Sequence, residues 1–144
     1  MEHLENLSPY ERQELLSFPA YISLLAATHD GEMDEIEKQA AIKLTHLKTF
    51  TSDEFLNGYY KEVEKDFSAH VDVLYHALPQ DAASREIALR QKLSAIETLT
   101  SKLPAEYSHK LLHSLESYSW HVAQSHRNVS EDFLIPFKIK GLTS

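Results

Sequence analysis

Apolar residues recur along the chain at spacings of three and four, and no stretch alternates apolar with polar positions as a half-buried strand would. Ser8, Pro9, Tyr10 and Glu11 have the form of a capping box with proline at the first helical position, so a helix is predicted to start there. Pro19 cannot sit inside that helix, which places a break near Ser17 and a restart through Ala20, Tyr21, Ile22, Leu24, Leu25, Ala26 and Ala27. This restarted segment is apolar nearly all round and is expected to be central. Asp30-Gly31 ends it, and Asp34 opens a helix whose stripe is Ile36, Ala40, Leu44 and Leu47. Thr51 or Ser52 caps a further helix with Phe55, Leu56, Tyr59, Val63 and Phe67 inward; Ser68 precedes another with Val71, Leu74, Tyr75 and Leu78, closed by Pro79.

From Asp81 to Lys102 one stripe runs through Leu89, Leu93, Ile96, Leu99 and Leu103, and Pro104 starts a long helix ending near His126. The core stripe of that helix is Tyr107, Leu111, Leu115, Tyr118 and Val122. Residues 1–7 are left as an N-terminal lead and 131–144 as a short helix with an apolar tail. No linker or low-complexity tract divides the chain, so residues 1–144 are expected to form a single all-α domain, a bundle of about seven helices.

Composition narrows the chemistry. There are no cysteines, which excludes disulfides, thiolate zinc sites, iron–sulfur clusters and cysteine nucleophiles. The start, with two acids and no basic stretch before an apolar run, does not resemble a secretory signal, and no run approaches the roughly 18 apolar residues of a membrane span. A cytoplasmic protein without membrane insertion is expected. The net charge is -8, and it is uneven: residues 1–72 carry 15 acids against 6 Lys and Arg, residues 73–144 carry 7 against 8. An acidic surface repels phosphate backbones, so no nucleic-acid partner is expected, and cationic or metallic partners suit the first half better.

The densest chemistry lies at Asp30, Glu32, Asp34, Glu35 and Glu37, five carboxylates within eight residues. Oxygen ligands of this kind suit hard divalent cations. Aligned as an EF-hand with Gly31 sixth, the loop would need ligands at Ala26 and Thr28, which lack the expected carboxylates. A plain helix connection also accounts for the segment: Gly31 permits a positive φ, Asp34 caps, and Glu35 and Glu37 favour the helix dipole. Both readings stand.

Ala27, Asp30, Gly31, Glu32, Asp34 and Glu37 together resemble the hallmark of the tellurite-resistance TerB family, an all-helical bacterial domain. Its hallmark is a small-residue helix end, then Asp-Gly, a short hydrophobic turn, and a helix opened by acids. The resemblance implies a non-catalytic role in bacterial stress response through protein contacts, with a divalent cation held by Asp30, Asp34 and Glu37. Residues 27–35 also align with 123–131, suggesting two related helix-turn-helix halves of the kind TerB-like domains resemble, although the second half has His126 and Arg127 where the first has Asp30 and Gly31.

No nucleophile elbow, phosphate loop or H-E-x-x-H motif is present, so no enzyme activity is expected. His109, His113 and Glu116 stack on one helix face, short of the three-ligand-plus-base arrangement of catalytic zinc. Trp120 falls on that same face, opposite the core stripe, so either the helix is covered on both sides or Trp120, His109 and His113 form an interaction surface. The alternative to the metal-binding role is therefore a structural or adaptor domain that self-associates or holds a protein partner through Trp120 or the apolar tail.

Overall fold

The computed structural model describes residues 4–27 and 54–124, and these are helical with no strand among them. The helices are α1 (Pro9–Leu16), α2 (Phe18–Ala27), α3 (Glu54–Lys65), α4 (Phe67–Ala77), α5 (Ala82–Ser94), α6 (Ile96–Thr100) and α7 (Ala105–Gln124). No helix among the described residues is long and apolar enough to cross a membrane. The acidic turn, the expected helix from Asp34, the Thr51 or Ser52 cap, the repeat around 123–131 beyond its start and the tail 131–144 lie outside the described residues.

α1 starts as expected. The Ser8 hydroxyl accepts from the Glu11 amide (3.1 Å) and the Glu11 carboxylate accepts from the Ser8 amide (3.0 Å), so two otherwise orphaned donors are satisfied reciprocally. The lead is more than a lead: Leu7 closes a turn onto Leu4 (3.1 Å), and both side chains are buried in the core. At the other end the helix stops at Leu16 with Ser17 as its C-cap, and α2 resumes at Phe18. Pro19 has no N–H to give the carbonyl of Leu15, four residues back. That carbonyl takes a backbone N–H at the C-cap, and the buried Tyr59 hydroxyl of α3 donates to it as well (2.7 Å), so a side chain from another helix adds to the bonding at the proline break.

α2 is the hub. It packs against α4, α5 and α7 as well as α1, and every residue from Phe18 to Leu25 is buried. A helix with no polar face can be stable only when enclosed in this way, since each large aliphatic side chain removed from water contributes about 1.5–3 kcal/mol. Its two ends of polarity are internal: Ser23 gives its proton to the Pro19 carbonyl (2.9 Å), so the Tyr118 hydroxyl of α7 must donate to Ser23 (2.8 Å).

Three local departures from the sequence pattern have physical causes. The Asp81–Lys102 stripe is not one helix: Ala95 adopts φ -76, ψ -4, separating α5 from α6 while Leu93, Ile96 and Leu99 stay buried. Spacings of three and four survive such a kink, so periodicity could not reveal it. α4 opens at Phe67, one residue before the expected Ser68 cap, with Phe67 buried and the His70 amide closing the first turn onto the Asp66 carbonyl (2.8 Å); Asp66 makes no side-chain capping bond. Leu74, Tyr75 and Leu78 are only partly buried. The turn between α4 and α5 is instead held by Arg85, buried despite its charge, which donates to the carbonyls of Pro79 (3.2 Å) and Gln80 (2.7 Å) and lies 5.2 Å over the Tyr75 ring.

Candidate functional site

The outer face of α7 carries the candidate interaction residues that fall among the described residues. The stripe of Tyr107, Leu111, Leu115, Tyr118 and Val122 is buried throughout, which turns the opposite face outward. His109 and His113 are exposed there, and Trp120 is 50% exposed. The indole of Trp120 thus stands half in solvent. Glu116, one turn before Trp120, is partly buried, and one of its carboxylate oxygens is enclosed without a hydrogen-bond partner. Glu106 and Lys110 flank the face as an i, i+4 pair at 3.8 Å.

His109, His113 and Glu116 do not come together as ligands. No group of three or more His, Asp or Glu side chains among the described residues is arranged to hold a metal ion. Asp30, Asp34 and Glu37 lie outside the described residues.

A second polar assembly, which no spacing in the sequence announces, surrounds the α1–α2 break. Glu14 of α1 accepts from the hydroxyls of Tyr10 (3.0 Å) and Tyr21 (2.5 Å) and pairs with Lys92 of α5 (2.7 Å). Burial works against the Glu14 charge, but the bonds from Lys92, Tyr21 and Tyr10 outweigh it and hold the carboxyl below its usual value. The Tyr21 hydroxyl is pushed upward by burial and by the carboxylate beside it. Three residues before Glu14, Glu11 pairs with Lys102, a bond that with the Ser8 amide keeps its carboxyl charged. These two pairs tie α1 to α5 and to the turn after α6.

On the other side of the break, His70 of α4 places Nε2 3.3 Å from the Ser17 hydroxyl and 3.5 Å from the Gln13 side-chain amide. Ser17 gives its own proton to the Gln13 carbonyl (2.8 Å) and can only accept from the imidazole. Ser17 and His70 thus have the separation of a nucleophile and base but not the chemistry. Ser17 is 1% exposed, its proton is committed to the backbone, and His70 is its donor.

Buried hydroxyls on α3 and α7 are also bonded to one another, although the Ser119 hydroxyl of α7 is buried without a partner. Tyr60 of α3 meets Ser114 of α7 (2.6 Å), and its ring stands edge-on to Tyr59 with centroids 5.0 Å apart. Burial raises the hydroxyls of Tyr59, Tyr60 and Tyr118 well above the ordinary tyrosine value and that of Tyr107 to about 12, so all four stay protonated donors. Compared with protein-family models, with curated proteins and with solved structures, the chain matches none.

Proposed function

We propose that this chain is a non-catalytic contact domain and that the outer face of α7, around Trp120, His109 and His113, is where it meets another polypeptide. The observation that carries the reading is the half-exposed Trp120 on a helix whose opposite face is fully spent on the core. Tryptophan is costly to leave in water and is enriched where interfaces concentrate their binding energy. The hydroxyls and imidazole of the α1–α2 region support the non-catalytic side, because their protons go to buried backbone and side-chain partners.

A second copy of the chain is the first partner to test. Trp120 is the single tryptophan, so its fluorescence reports this face alone. Self-association through α7 predicts a blue shift of that emission as concentration rises, together with a dimer in sedimentation that is lost in Trp120→Ala. A monomer at high concentration with unshifted emission would sink self-association at this face.

The resemblance to TerB domains extends the proposal to bacterial stress physiology and to a divalent cation bound by Asp30, Asp34 and Glu37. Its support is the run of five carboxylates and the all-α architecture. Calorimetric titration of the metal-stripped protein with calcium, magnesium, manganese and zinc is expected to give saturable heat that disappears in the Asp30→Ala, Asp34→Ala, Glu37→Ala variant. Heat that persists in the variant would remove these residues as ligands.

A further inference from the structure

We propose that α7 pairs with α7 of a second copy of the chain, antiparallel about a two-fold axis at the level between Ser114 and Leu115, so that His113 of each copy meets Glu116 of the other and His109 meets Trp120. This rests on the outer face of α7 being a contact surface, and adds to it the partner, the direction and the register.

The face has the spacing of a helix seam. His109, His113, Glu116 and Trp120 follow one another at four, three and four residues, the alternation that keeps one side of a helix turned toward a partner helix. At about 100° per residue the four fall within a sector of about 60°, away from the buried stripe of Tyr107, Leu111, Leu115, Tyr118 and Val122. His109 and His113 are exposed and Trp120 is half exposed, while Glu116 is partly buried with Oε2 enclosed and unpartnered. A carboxylate in such a partly dry setting gains more from an arriving N–H than a fully solvated one does.

The order of the four residues selects the occupant. In a two-fold dimer residue i of one copy meets j of the other and j meets i. Across an antiparallel pair, i and j must lie equally far from the axis. His113 and Glu116 each lie one and a half positions from the point between Ser114 and Leu115, and His109 and Trp120 each lie five and a half from the same point. A foreign helix would not require this common centre; a second copy does. The chemistry of the pairs agrees, because an imidazole N–H donates to a carboxylate whether the ring is charged or neutral, and an imidazole laid on an indole takes both rings out of water. A parallel pair would instead set Glu116 against its own copy, like charge on like charge, and leave His113 no acceptor. Two copies at -8 each repel at a distance and one helix pair is a small interface, so a weak dimer is expected.

Sedimentation equilibrium of the full chain at about 0.15 M salt, read with the Trp120 emission, tests the pairing. The native chain is expected to dimerise with a blue shift. His113→Glu places a carboxylate opposite Glu116 on both sides of the axis and should raise the dimer dissociation constant roughly tenfold. His113→Gln keeps a side-chain N–H and should stay within about threefold of the native value. Adding Glu116→Lys to His113→Glu makes both antiparallel pairs attractive again and should recover the dimer, whereas a parallel pair would then have like charges at both positions. Recovery also shows that His113→Glu acts through charge and not through misfolding, which circular dichroism of each variant checks independently. A dimer that His113→Glu does not weaken, or that the double variant does not recover, overturns the antiparallel pairing; if Trp120→Ala still dissociates it, α7 remains a contact surface. A native chain that stays monomeric overturns the second copy as partner. A dimer that survives Trp120→Ala with unshifted native emission removes both the pairing and the contact surface.

Discussion

Replacing Ile22 by alanine is expected to lower folding stability by about 2–5 kcal/mol, a large part of the roughly 5–15 kcal/mol that holds a domain of this kind together. Ile22 is 0% exposed and sits in the middle of α2, the helix on which α4, α5 and α7 converge. No flank of α2 faces water between Phe18 and Leu25, so a cavity there has neighbours on all sides and little freedom to collapse. Urea unfolding would show the change as a lower midpoint at nearly constant slope. Ile87→Ala provides the contrast: the same deletion at a position 60% exposed on α5 should change stability by no more than about 0.5 kcal/mol. Equal losses at the two positions would mean that α2 is not the enclosed hub.

The second effect is expected at Tyr59→Phe, with a loss of about 0.5–1.5 kcal/mol. The ring volume is kept, so packing barely changes; what is lost is one of two donors to the Leu15 carbonyl, which takes a backbone N–H at the helix C-cap but lacks the amide of residue 19 because that residue is proline. This origin makes the effect conditional. In a Pro19→Ala background the new backbone N–H can take over the Leu15 carbonyl, and Tyr59→Phe should then cost less than it does in the native chain. A double-mutant cycle reads the difference directly. Strictly additive losses would show that the phenol does not stand in for the missing amide.

These two positions also mark the limit of what pattern reading delivers. Ile22 is legible as core, because an uninterrupted apolar segment between a proline and an Asp-Gly has no other stable place than an interior. Tyr59 is legible as inward-facing, but its bond to Leu15 is not, since the two residues are 44 positions apart. Its neighbour Tyr60 is fully buried as well, which a single inward stripe on α3 does not anticipate; α3 lies between α1 and α7, and each claims one of the adjacent tyrosines.

The candidate site divides in the same way. Rotation about the axis of α7 puts His109, His113 and Trp120 on one face, and the structure has them there. Whether that face is covered depends on what packs behind it, and only the assembled helices leave Trp120 half exposed. The Glu14 and His70 assembly was invisible for a stronger reason. Lys92 lies 78 residues from Glu14 and His70 lies 53 from Ser17, and no periodicity relates them.

What the chain determines by itself is thus whatever depends on neighbours within a turn or two: an all-helical chain, the Ser8–Glu11 cap, the break at Ser17, the buried α2 and the inward stripe of α7. Caps, prolines and apolar spacing act over a few residues, so their energies are written locally. The tertiary structure alone decided the kink at Ala95, the docking of Leu4 and Leu7, the Arg85 clamp and the polar joint at Ser17. Each is a choice among several locally acceptable conformations or partners, and the choice is made by burial and hydrogen bonding against helices distant in sequence.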